Sequence, residues 1–395
     1  MILKERIMNL ATSLYEEVVA HRQHIHAHPE LSFEEYNTAA YIRQQLHDMG
    51  IEPLTMANTG VVALIKGAKP SEEVIALRAD IDALPIQEVA GREYGSKNTG
   101  IMHACGHDVH SSSLLGTAKI LQALKNEFAG TVKLIFQPGE EKLPGGASIL
   151  IKEGVLENPK PASILGQHVL NILPVGKVGF RSGKYMASTD ELYVTVRGRG
   201  GHGAQPQQNV DPIVITANII TALQQIVSRM ADPKMPTVLS FGRIEGLGAT
   251  NVIPDEVKLQ GTFRTFDETW RAEAHRRMKK LAEGMAESMG ATCEFEVRKG
   301  YPFLTNEPAL TAQCRSFAEE YLGEENIVDL DLWMAGEDFA YYSQVVDACF
   351  YRLGIRNEER GITSPVHTPN FDIDESALKL STGLMAYMAL KKLGN

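Results

Sequence analysis

The stretch from Met102 to His110 holds three histidines, one cysteine and one aspartate within nine residues. Cys105 and His107 are two positions apart, and a thiolate and an imidazole at this spacing can bind one metal ion. Gly106 lies between them and permits a tight backbone turn. The spacing alone leaves a chance cluster of histidines equally open, because a metal site also needs ligands from distant elements.

Other side chains capable of chemistry follow segments that the sequence predicts to be buried strands. Asp80 and Asp82 come after the apolar segment 74–78, where open α/β sheets keep their active sites. Capping of the following turn explains both aspartates equally well. His168 stands at the end of a second apolar segment, 162–169.

A third predicted strand, 131–136, ends in a Gly-Pro turn that carries Glu140 and Glu141. Adjacent carboxylates in such a turn can divide the work, one binding a metal while the other moves protons. Surface glutamates are usually only solvated, so this pair is weak evidence by itself. His367 lies in a late predicted loop and completes the candidates.

Together these residues suit a borderline divalent metal such as Zn, Mn, Co or Ni. The candidate ligands are Cys105, His107, Glu141, His168 and His367. Five ligands exceed one tetrahedral site, which favours two metal ions sharing a bridging group. Glu140, next to a ligand, is placed to take a proton from water, and this chemistry is hydrolysis. The sequence contains neither a Gly-x-Ser-x-Gly elbow nor a P-loop that would indicate another chemistry.

The elements that must position these residues alternate between strands and helices, which favours an α/β fold with a mostly parallel sheet flanked by helices. Near Ser188 the pattern changes, because Leu192, Val194 and Val196 alternate with polar residues as in a sheet with one wet face. The predicted order there, strand-helix-strand-strand-helix-strand, indicates an inserted ferredoxin-like α+β unit. Helices are predicted over residues 33–49, 111–128, 210–229, 268–289 and 308–322, and from 375 onwards.

The sequence therefore predicts two domains. The catalytic, metal-binding domain is discontinuous and takes residues 1–187 and 301–395. The inserted domain takes residues 188–300. A chain of 395 residues is too long for one ordinary core, which agrees with this division.

The composition limits the classes of function. A net charge of −10 argues against a nucleic-acid partner. We expect no membrane span and no signal peptide, because no apolar run reaches the required length. Four scattered cysteines among 395 residues fit reduced thiols in a cytoplasm better than a disulfide framework.

Two further motifs predict no chemistry. The segment 198–203 fits G-x-G-x-x-G, but Pro206 interrupts the expected helix and the acidic residue of a dinucleotide site is missing. His24 and His28 are four apart, but Pro29 ends their helix and they lack the intervening glutamate of a zinc-protease motif. A structural role is favoured for both histidines.

At this point the chain resembles the metal-dependent amidohydrolases of the hippurate hydrolase and indole-acetyl-amino-acid hydrolase type, within the aminoacylase and carboxypeptidase group of metallopeptidases. The resemblance covers nearly the whole chain. Its motifs lie at residues 26–35, 78–85, 103–108, 136–141, 201–204, 211–212, 251–254, 261–264, 336–339 and 367–372.

The resemblance implies a two-metal centre held by the five ligands above, with Glu140 as general base and Asp82 orienting a ligand histidine. It implies that the inserted domain is a lid and a dimer contact. His202 then reaches a neighbouring subunit's site and steadies the oxyanion, with a loop histidine of purely structural role as the alternative.

For the substrate, the resemblance implies that Asn251 and Arg264 bind a carboxylate, although a structural ion pair is an alternative for Arg264. Gln207 departs from the family, which commonly has histidine there, and this puts fine substrate selection in doubt. Glu337 and Asp338 match a family motif without an assigned role.

The expected activity is hydrolysis of the amide bond of N-acyl amino acids, with acetyl, benzoyl or similar acyl groups. A dipeptidase or carboxypeptidase using the same site is the first alternative, and a non-catalytic metal-binding or peptide-binding member of the group is the second. The expected partners are a small N-acyl amino acid or peptide and a second copy of the chain. Dimers that pair into tetramers are also compatible with the sequence.

Overall fold

The computed structural model describes residues 3–394, so Met1, Ile2 and Asn395 lie outside the described part of the predicted catalytic domain. The chain forms two compact units. The first consists of Met1–Tyr185, Thr305–Asp331 and Asp338–Asn395, and the second of Met186–Leu304 and Leu332–Glu337. The short segment 332–337 thus belongs to the second unit, whereas the sequence analysis places it in the catalytic domain.

The strands are short and mostly rich in β-branched and apolar residues. They are β1 (Pro53–Met56), β2 (Gly60–Lys66), β3 (Lys69–Asp80), β4 (Ala129–Gln137), β5 (Ser163–Pro174), β6 (Val178–Phe180), β7 (Gly183–Met186), β8 (Asp190–Arg197), β9 (Gly201–His202), β10 (Thr237–Glu245), β11 (Val252–Ile253), β12 (Glu256–Thr265), β13 (Thr292–Lys299), β14 (Leu304–Asn306), β15 (Ile327–Asp329) and β16 (Asp347–Arg356).

The helices include two whose Asp N-caps accept backbone N–H groups, at Asp211 and Asp267. They are α1 (Leu3–Ser13), α2 (Tyr15–Ala27), α3 (Tyr36–Asp48), α4 (His107–Ala123), α5 (Gly146–Lys152), α6 (Pro212–Gln225), α7 (Glu268–Ser288), α8 (Pro308–Leu322), α9 (Ala340–Ser343) and α10 (Ser376–Lys392). A π-helical turn, Ile226–Met230, continues α6, and 3-10 turns span Pro206–Gln208 and Glu324–Asn326.

An eight-stranded sheet organises the first unit in the order β1-β2-β4-β3-β5-β16-β6-β15. The four central strands, β4, β3, β5 and β16, run parallel to one another, and the pairs β1-β2, β2-β4 and β16-β6 are antiparallel. Strand β4 is buried along nearly its whole length, as expected for a parallel strand covered on both faces. The mixed α/β class and the large sheet predicted from the sequence are confirmed.

In the second unit a four-stranded antiparallel sheet has the order β10-β12-β8-β13. Along the chain its elements run β8, α6, β10, β12, α7, β13. Leu192, Val194 and Val196 of β8 are buried and alternate with more exposed residues, as the sequence predicts. Ile219 of α6 and Met278 of α7 pack on the same core.

The stretch Pro212–Met230 is long and apolar enough to cross a membrane by length and composition alone, and 33% of it is buried. This single helix is weak evidence for a membrane span. Its polar residues up to position 228 are uncharged Thr, Asn, Gln and Ser, which lower hydropathy only moderately. The core helix of a folded domain passes the same test, and α6 buries Ile215, Ile219 and Leu223 in the core of the second unit.

Candidate metal centre

Cys105 and His107 stand on either side of a left-handed glycine at the start of α4. Gly106 has φ +86°, and a Cβ at this position would lie 2.6 Å from Cγ2 of Val169. Any side chain here would push the turn away from strand β5. Because Val169 follows His168 in that strand, the close approach brings the thiol and both imidazoles together.

The remaining predicted ligands come from two loops and a strand of the first unit. Glu141 follows β4, His168 lies within β5, and His367 lies in the loop before α10. His367 has φ +61°, an unfavourable conformation for a non-glycine residue, and its N–H donates to the carbonyl of Ala104 at 2.7 Å. This bond fixes the His367 loop beside Cys105.

The structure brings all five predicted ligands into one cluster. Sγ of Cys105 lies 3.4 Å from Nε2 of His168 and 3.3 Å from Nε2 of His367. Oε1 of Glu141 lies 3.2 Å from Nε2 of His367 and 4.0 Å from Nε2 of His107. The donor atoms form two groups that share the thiol, Cys105–His107–His168 and Cys105–Glu141–His367, each within 4.8 Å.

The chemistry of this donor set fits divalent metal ions. Nε2 of His107 and Oε1 of Glu141 are buried and have no hydrogen-bond partner among residues 3–394. Burial, together with the negative charges of Glu141, Glu140 and Asp80, raises the pKa of the Cys105 thiol well above its ordinary value. A cation at these atoms would satisfy the unpartnered groups and offset the crowded negative charge.

Hydrogen bonds orient both buried imidazoles so that Nε2 faces the cluster. Nδ1 of His107 donates to the carbonyl oxygen of Asp82 at 2.8 Å and lies 3.1 Å from its Oδ1. Nδ1 of His168 donates to the carbonyl of Val169 at 2.8 Å. Burial, with the nearby Arg352 cation, lowers the pKa of His168 well below its ordinary value, so this imidazole is neutral. The Nε2 lone pair of His168 is therefore left for a metal. Burial alone would lower the pKa of His107, but the carboxylates of Asp80 and Asp82 outweigh it and raise that pKa to about 10. Nε2 of His107 would thus lose a proton when it binds a metal.

The carboxylate of Asp82 joins three segments of the site. Besides facing His107, its Oδ2 accepts the hydroxyl of Ser32 at 2.6 Å and the backbone N–H of Glu141 at 2.9 Å. Burial alone would raise the pKa of Asp82, but the hydrogen bonds from His107 and Ser32 outweigh it and lower that pKa. Asp82 is therefore an ionised group that ties two ligand residues together.

Asp80 has different partners from Asp82, the aspartate that the family resemblance assigns to orienting a ligand histidine. Its Oδ1 accepts Nδ1 of His110 at 2.5 Å, and its Oδ2 accepts Nη1 of Arg78 at 2.6 Å. Nε2 of His110 in turn accepts the N–H of Val169 at 3.0 Å. Asp80 thus supports strand β5 next to His168, and it also lies 3.8 Å from Nε2 of His107.

Glu140 is 6% exposed and lies in the loop between β4 and α5, which comprises residues 138–145 and is called the Glu140 loop below. With Glu141 and His107 it forms a third group of donor atoms within 4.8 Å. Glu140 is thus beside the ligands but outside the two groups that share Cys105.

Glu35 also holds this loop, a role that the sequence did not predict. Its Oε1 accepts the N–H of Gly139 at 2.8 Å, and its Oε2 accepts the hydroxyl of Thr59 at 2.6 Å. Gly139 has φ +59°, and a Cβ there would lie 2.3 Å from the ring of Phe33. The residues around Phe33 and Glu35 therefore fit closely against the turn that presents Glu140.

The predicted oxyanion residue His202 and the two predicted substrate-binding residues, Asn251 and Arg264, lie in the second unit. His202 of β9 pairs with Val252 of β11, which places it beside Asn251, and both residues are exposed. Nδ1 of His202 accepts the N–H of Ala204 at 3.0 Å, which leaves the proton of a neutral imidazole on the exposed Nε2. Gln207 lies exposed in the adjacent 3-10 turn.

Arg264 is half-buried in β12, and burial lowers the pKa of its guanidinium. It makes no hydrogen bond or ion pair within the described part of the chain. The structural ion pair considered from the sequence is therefore not observed. A half-buried guanidinium without a partner is suited to binding an anion.

The site combines thiol, imidazole and carboxylate donors at the edge of a largely parallel sheet with Glu140, a glutamate beside them. This combination defines a metal-dependent hydrolase. Residues 76–391 match the family described as Peptidase family M20/M25/M40, and the chain belongs to this family.

Relatives and solved structures agree with this membership. The chain is 44% identical over 299 residues to an N-acyl-L-amino acid amidohydrolase of Geobacillus stearothermophilus, covering 75% of this chain and 80% of the relative. It is 38% identical over 380 residues to an N-acetylcysteine deacetylase of Bacillus subtilis (strain 168), covering 96% and 97%. The Bacillus subtilis YXEP protein, described as a dinuclear metal binding peptidase from M20 family, has 36% identity, coverage of 97% and 99%, and a TM-score of 0.83.

The Glu35 contacts generate a prediction about stability and pH in protein stripped of metal by a chelator. Burial and the nearby Asp82 raise the pKa of Glu35 from 4.5 to about 7. The fold then binds a proton more tightly than the unfolded chain, so stability falls between pH 4.5 and 7 and the full loss is present above pH 7. Glu35→Gln should remove this loss. The difference in free energy of unfolding between Glu35→Gln and wild type should therefore be about 3 kcal/mol more favourable to the variant at pH 8 than at pH 4.

Urea unfolding from pH 4 to 8 measures this difference. The matched control is Glu34→Gln, since Glu34 is the exposed neighbour. Parallel stability profiles for wild type and Glu35→Gln would contradict the prediction.

Proposed function

We propose that this protein hydrolyses the amide bond of N-acyl amino acids, using water activated at two divalent metal ions. The observation that carries the proposal is the buried cluster in which Cys105 joins two groups of ligand atoms beside Glu140. The relatives named for N-acyl amino acid and N-acetylcysteine substrates support the substrate class.

Cys105, His107 and His168 would hold one metal ion, and Cys105, Glu141 and His367 the other. Zn, Mn, Co and Ni all suit this mixture of thiolate, imidazole and carboxylate ligands. When bound, the metal ions polarise the scissile carbonyl group and acidify water. Asp82 holds the imidazole of His107 in the required orientation.

Glu140 carries the proton transfers. Its carboxylate accepts a proton from the attacking water and then delivers that proton to the leaving amine nitrogen. In a dimer, His202 of one subunit would reach the site of the other and, with its proton on the exposed Nε2, donate a hydrogen bond to the oxyanion formed from the scissile carbonyl. The roles of Glu140 and His202 are complementary, since one moves a proton and the other stabilises negative charge.

Arg264 and Asn251 recognise the free carboxylate of the substrate. The guanidinium of Arg264 lacks an internal ion pair, and the side-chain amide of Asn251 makes no hydrogen bond within residues 3–394. An arginine fork and an amide donor together suit the two oxygens of a carboxylate.

The inserted segment, residues 188–300, is proposed as a ferredoxin-like lid and homodimer contact, with tetramers as a possible further assembly. Ile213 and Val214 of α6 are 44% and 52% exposed, and the outer side of this helix carries no charged residue up to position 228. Such an uncharged surface favours a second copy over solvent. Sedimentation as a monomer at micromolar concentration would contradict this proposal.

The four cysteines are free thiols, which supports a cytoplasmic location. Recovery of the native protein only from an extracellular fraction would contradict it.

Glu140→Ala should retain both metal ions, because the side chain lies outside the two groups that share Cys105. We expect kcat to fall by about 10²–10⁴-fold, the usual contribution of a positioned acid-base group. Turnover of N-acetyl and N-benzoyl amino acids, measured with elemental analysis of bound metal, tests this. Glu157→Gln serves as a control, because Glu157 is an exposed glutamate of the same unit that follows α5. Activity of Glu140→Ala equal to wild type would overturn the mechanism.

Arg264→Met should raise KM for N-acyl amino acids by about 10–100-fold, since a charge-assisted bond contributes 1.5–3 kcal/mol. Its effect should be small for the corresponding amino acid amides, which lack the carboxylate. Arg243→Met is the control, because Arg243 is an exposed arginine of β10 paired with Glu245. Equal loss for the acid and amide substrates would exclude carboxylate recognition by Arg264.

A peptidase acting on dipeptides or C-terminal residues is the second candidate function, favoured by the family description. Both reactions use the same site and cleave a linear amide bond. A panel of N-acetyl, N-benzoyl and dipeptide substrates, each assayed with added Zn, Mn, Co or Ni, separates them. Faster turnover of dipeptides than of every N-acyl substrate would favour the peptidase.

A further inference from the structure

The carboxylate of Asp338 is fully buried in the first unit and is surrounded by N–H donors from three segments. Nη2 of Arg78 donates to Oδ1 at 2.7 Å, and the backbone N–H of Ala147 donates to Oδ2 at 2.9 Å. Nε2 of Gln137 lies 2.8 Å from both oxygens. One buried anion therefore joins parts of the chain that are up to 260 positions away.

Two of these donors mark the ends of the Glu140 loop. Gln137 is the last residue of β4, and Ala147 lies in the first turn of α5. The N–H of Gly146 also donates to the carbonyl of Gly139 at 3.0 Å, which closes the loop on itself. Because the Asp338 carboxylate binds at both ends, it fixes where the loop begins and where it returns.

The backbone of the same residue contacts the general base directly. The N–H of Asp338 donates to Oε1 of Glu140 at 3.3 Å. A general base works only when its oxygen lies within hydrogen-bonding reach of the proton it takes. Anchoring the Asp338 side chain also anchors this N–H and so restrains the Glu140 carboxylate.

We propose that Asp338 is a positioning residue for Glu140, holding the Glu140 loop and the base carboxylate in the geometry that proton transfer requires. The proposal rests on the proposed function, since it assigns the base role to Glu140. Asp338 is not one of the residues assigned to hold metal or substrate, and it acts through the loop and its own N–H.

A carboxylate suits this position because its hydrogen-bond partners from Arg78, Gln137 and Ala147 are all donors. Asparagine keeps one acceptor oxygen but turns an NH2 group toward either Gln137 Nε2 or the Ala147 N–H. A buried donor facing a donor leaves both unsatisfied, so one end of the loop is released. Arg78 also serves Asp80, which makes Asp338 the cleaner site to change.

The experiment is a double-mutant cycle of Asp338→Asn with Glu140→Asp in the full-length, metal-loaded enzyme. Glu140→Asp draws the base oxygen back by one methylene and keeps a carboxylate. If Asp338 acts through Glu140, Asp338→Asn should lower kcat about 10–100-fold in wild type. It should lower kcat less than 3-fold once Glu140 is already displaced, with KM for N-acyl substrates and the metal content unchanged in both backgrounds.

Asp374→Asn is the matched control for general destabilisation. Asp374 is a buried aspartate of the same unit that pairs with Arg360 and receives the N–H of Ser376. It should lower the unfolding temperature without coupling to Glu140→Asp. Circular dichroism and elemental analysis on all variants check that each is folded and loaded with metal.

The positioning role would be overturned if Asp338→Asn lowered kcat by the same factor in both backgrounds, or if the single variant lost its metal. Full activity of Glu140→Asp together with Glu140→Ala would instead overturn the proposed function. The two failures are therefore distinguishable.

Discussion

The site depends on a concentration of negative charge that the fold encloses in its first unit. Asp80, Asp82 and Glu140 are at most 6% exposed and surround the buried thiol of Cys105. Uncompensated charge in such a place is costly, so each carboxylate must find a cation or N–H donors. Arg78 and backbone amides satisfy part of this demand, and divalent metal ions would satisfy the remainder. The arrangement is thus suited to metal binding by electrostatics as well as by geometry.

Close backbone approach is the second constraint on the site. Gly106 and Gly139 both have positive φ, and a Cβ at either one would overlap Val169 or Phe33. These contacts let the loops before α4 and after β4 come near enough to share ligands with strand β5. His367 reaches the same cluster through its own strained backbone, held by Ala104. Conformational strain here coincides with the residues that chemistry needs.

The two units place different demands on their side chains. In the first unit most polar groups of the site are buried and hydrogen-bonded, which fixes their direction. Nε2 of His107 and Oε1 of Glu141 have no hydrogen-bond partner among residues 3–394, and His367 is exposed. In the second unit His202 and Asn251 are exposed on neighbouring short strands, and Arg264 lacks an internal anion. The residues of the first unit are thus suited to holding metal ions, and those of the second unit are suited to binding a ligand from solution or from another subunit.

The sequence by itself determined the mixed α/β class, the candidate ligand residues and many element positions. Residue type and strand-end position are local properties: the sequence predicted a helix over 308–322, which are the observed bounds of α8, and a thiolate and an imidazole two apart indicated metal binding. Short elements such as β6, β15 and α9 carry too few residues for a period and were not predicted. Only the tertiary structure showed what Asp80 contacts, linked Glu35 to the Glu140 loop and placed Asp338 between Arg78 and that loop. Those roles depend on hydrogen bonds between residues tens to hundreds of positions apart, and no local pattern encodes which distant donor a buried carboxylate will meet.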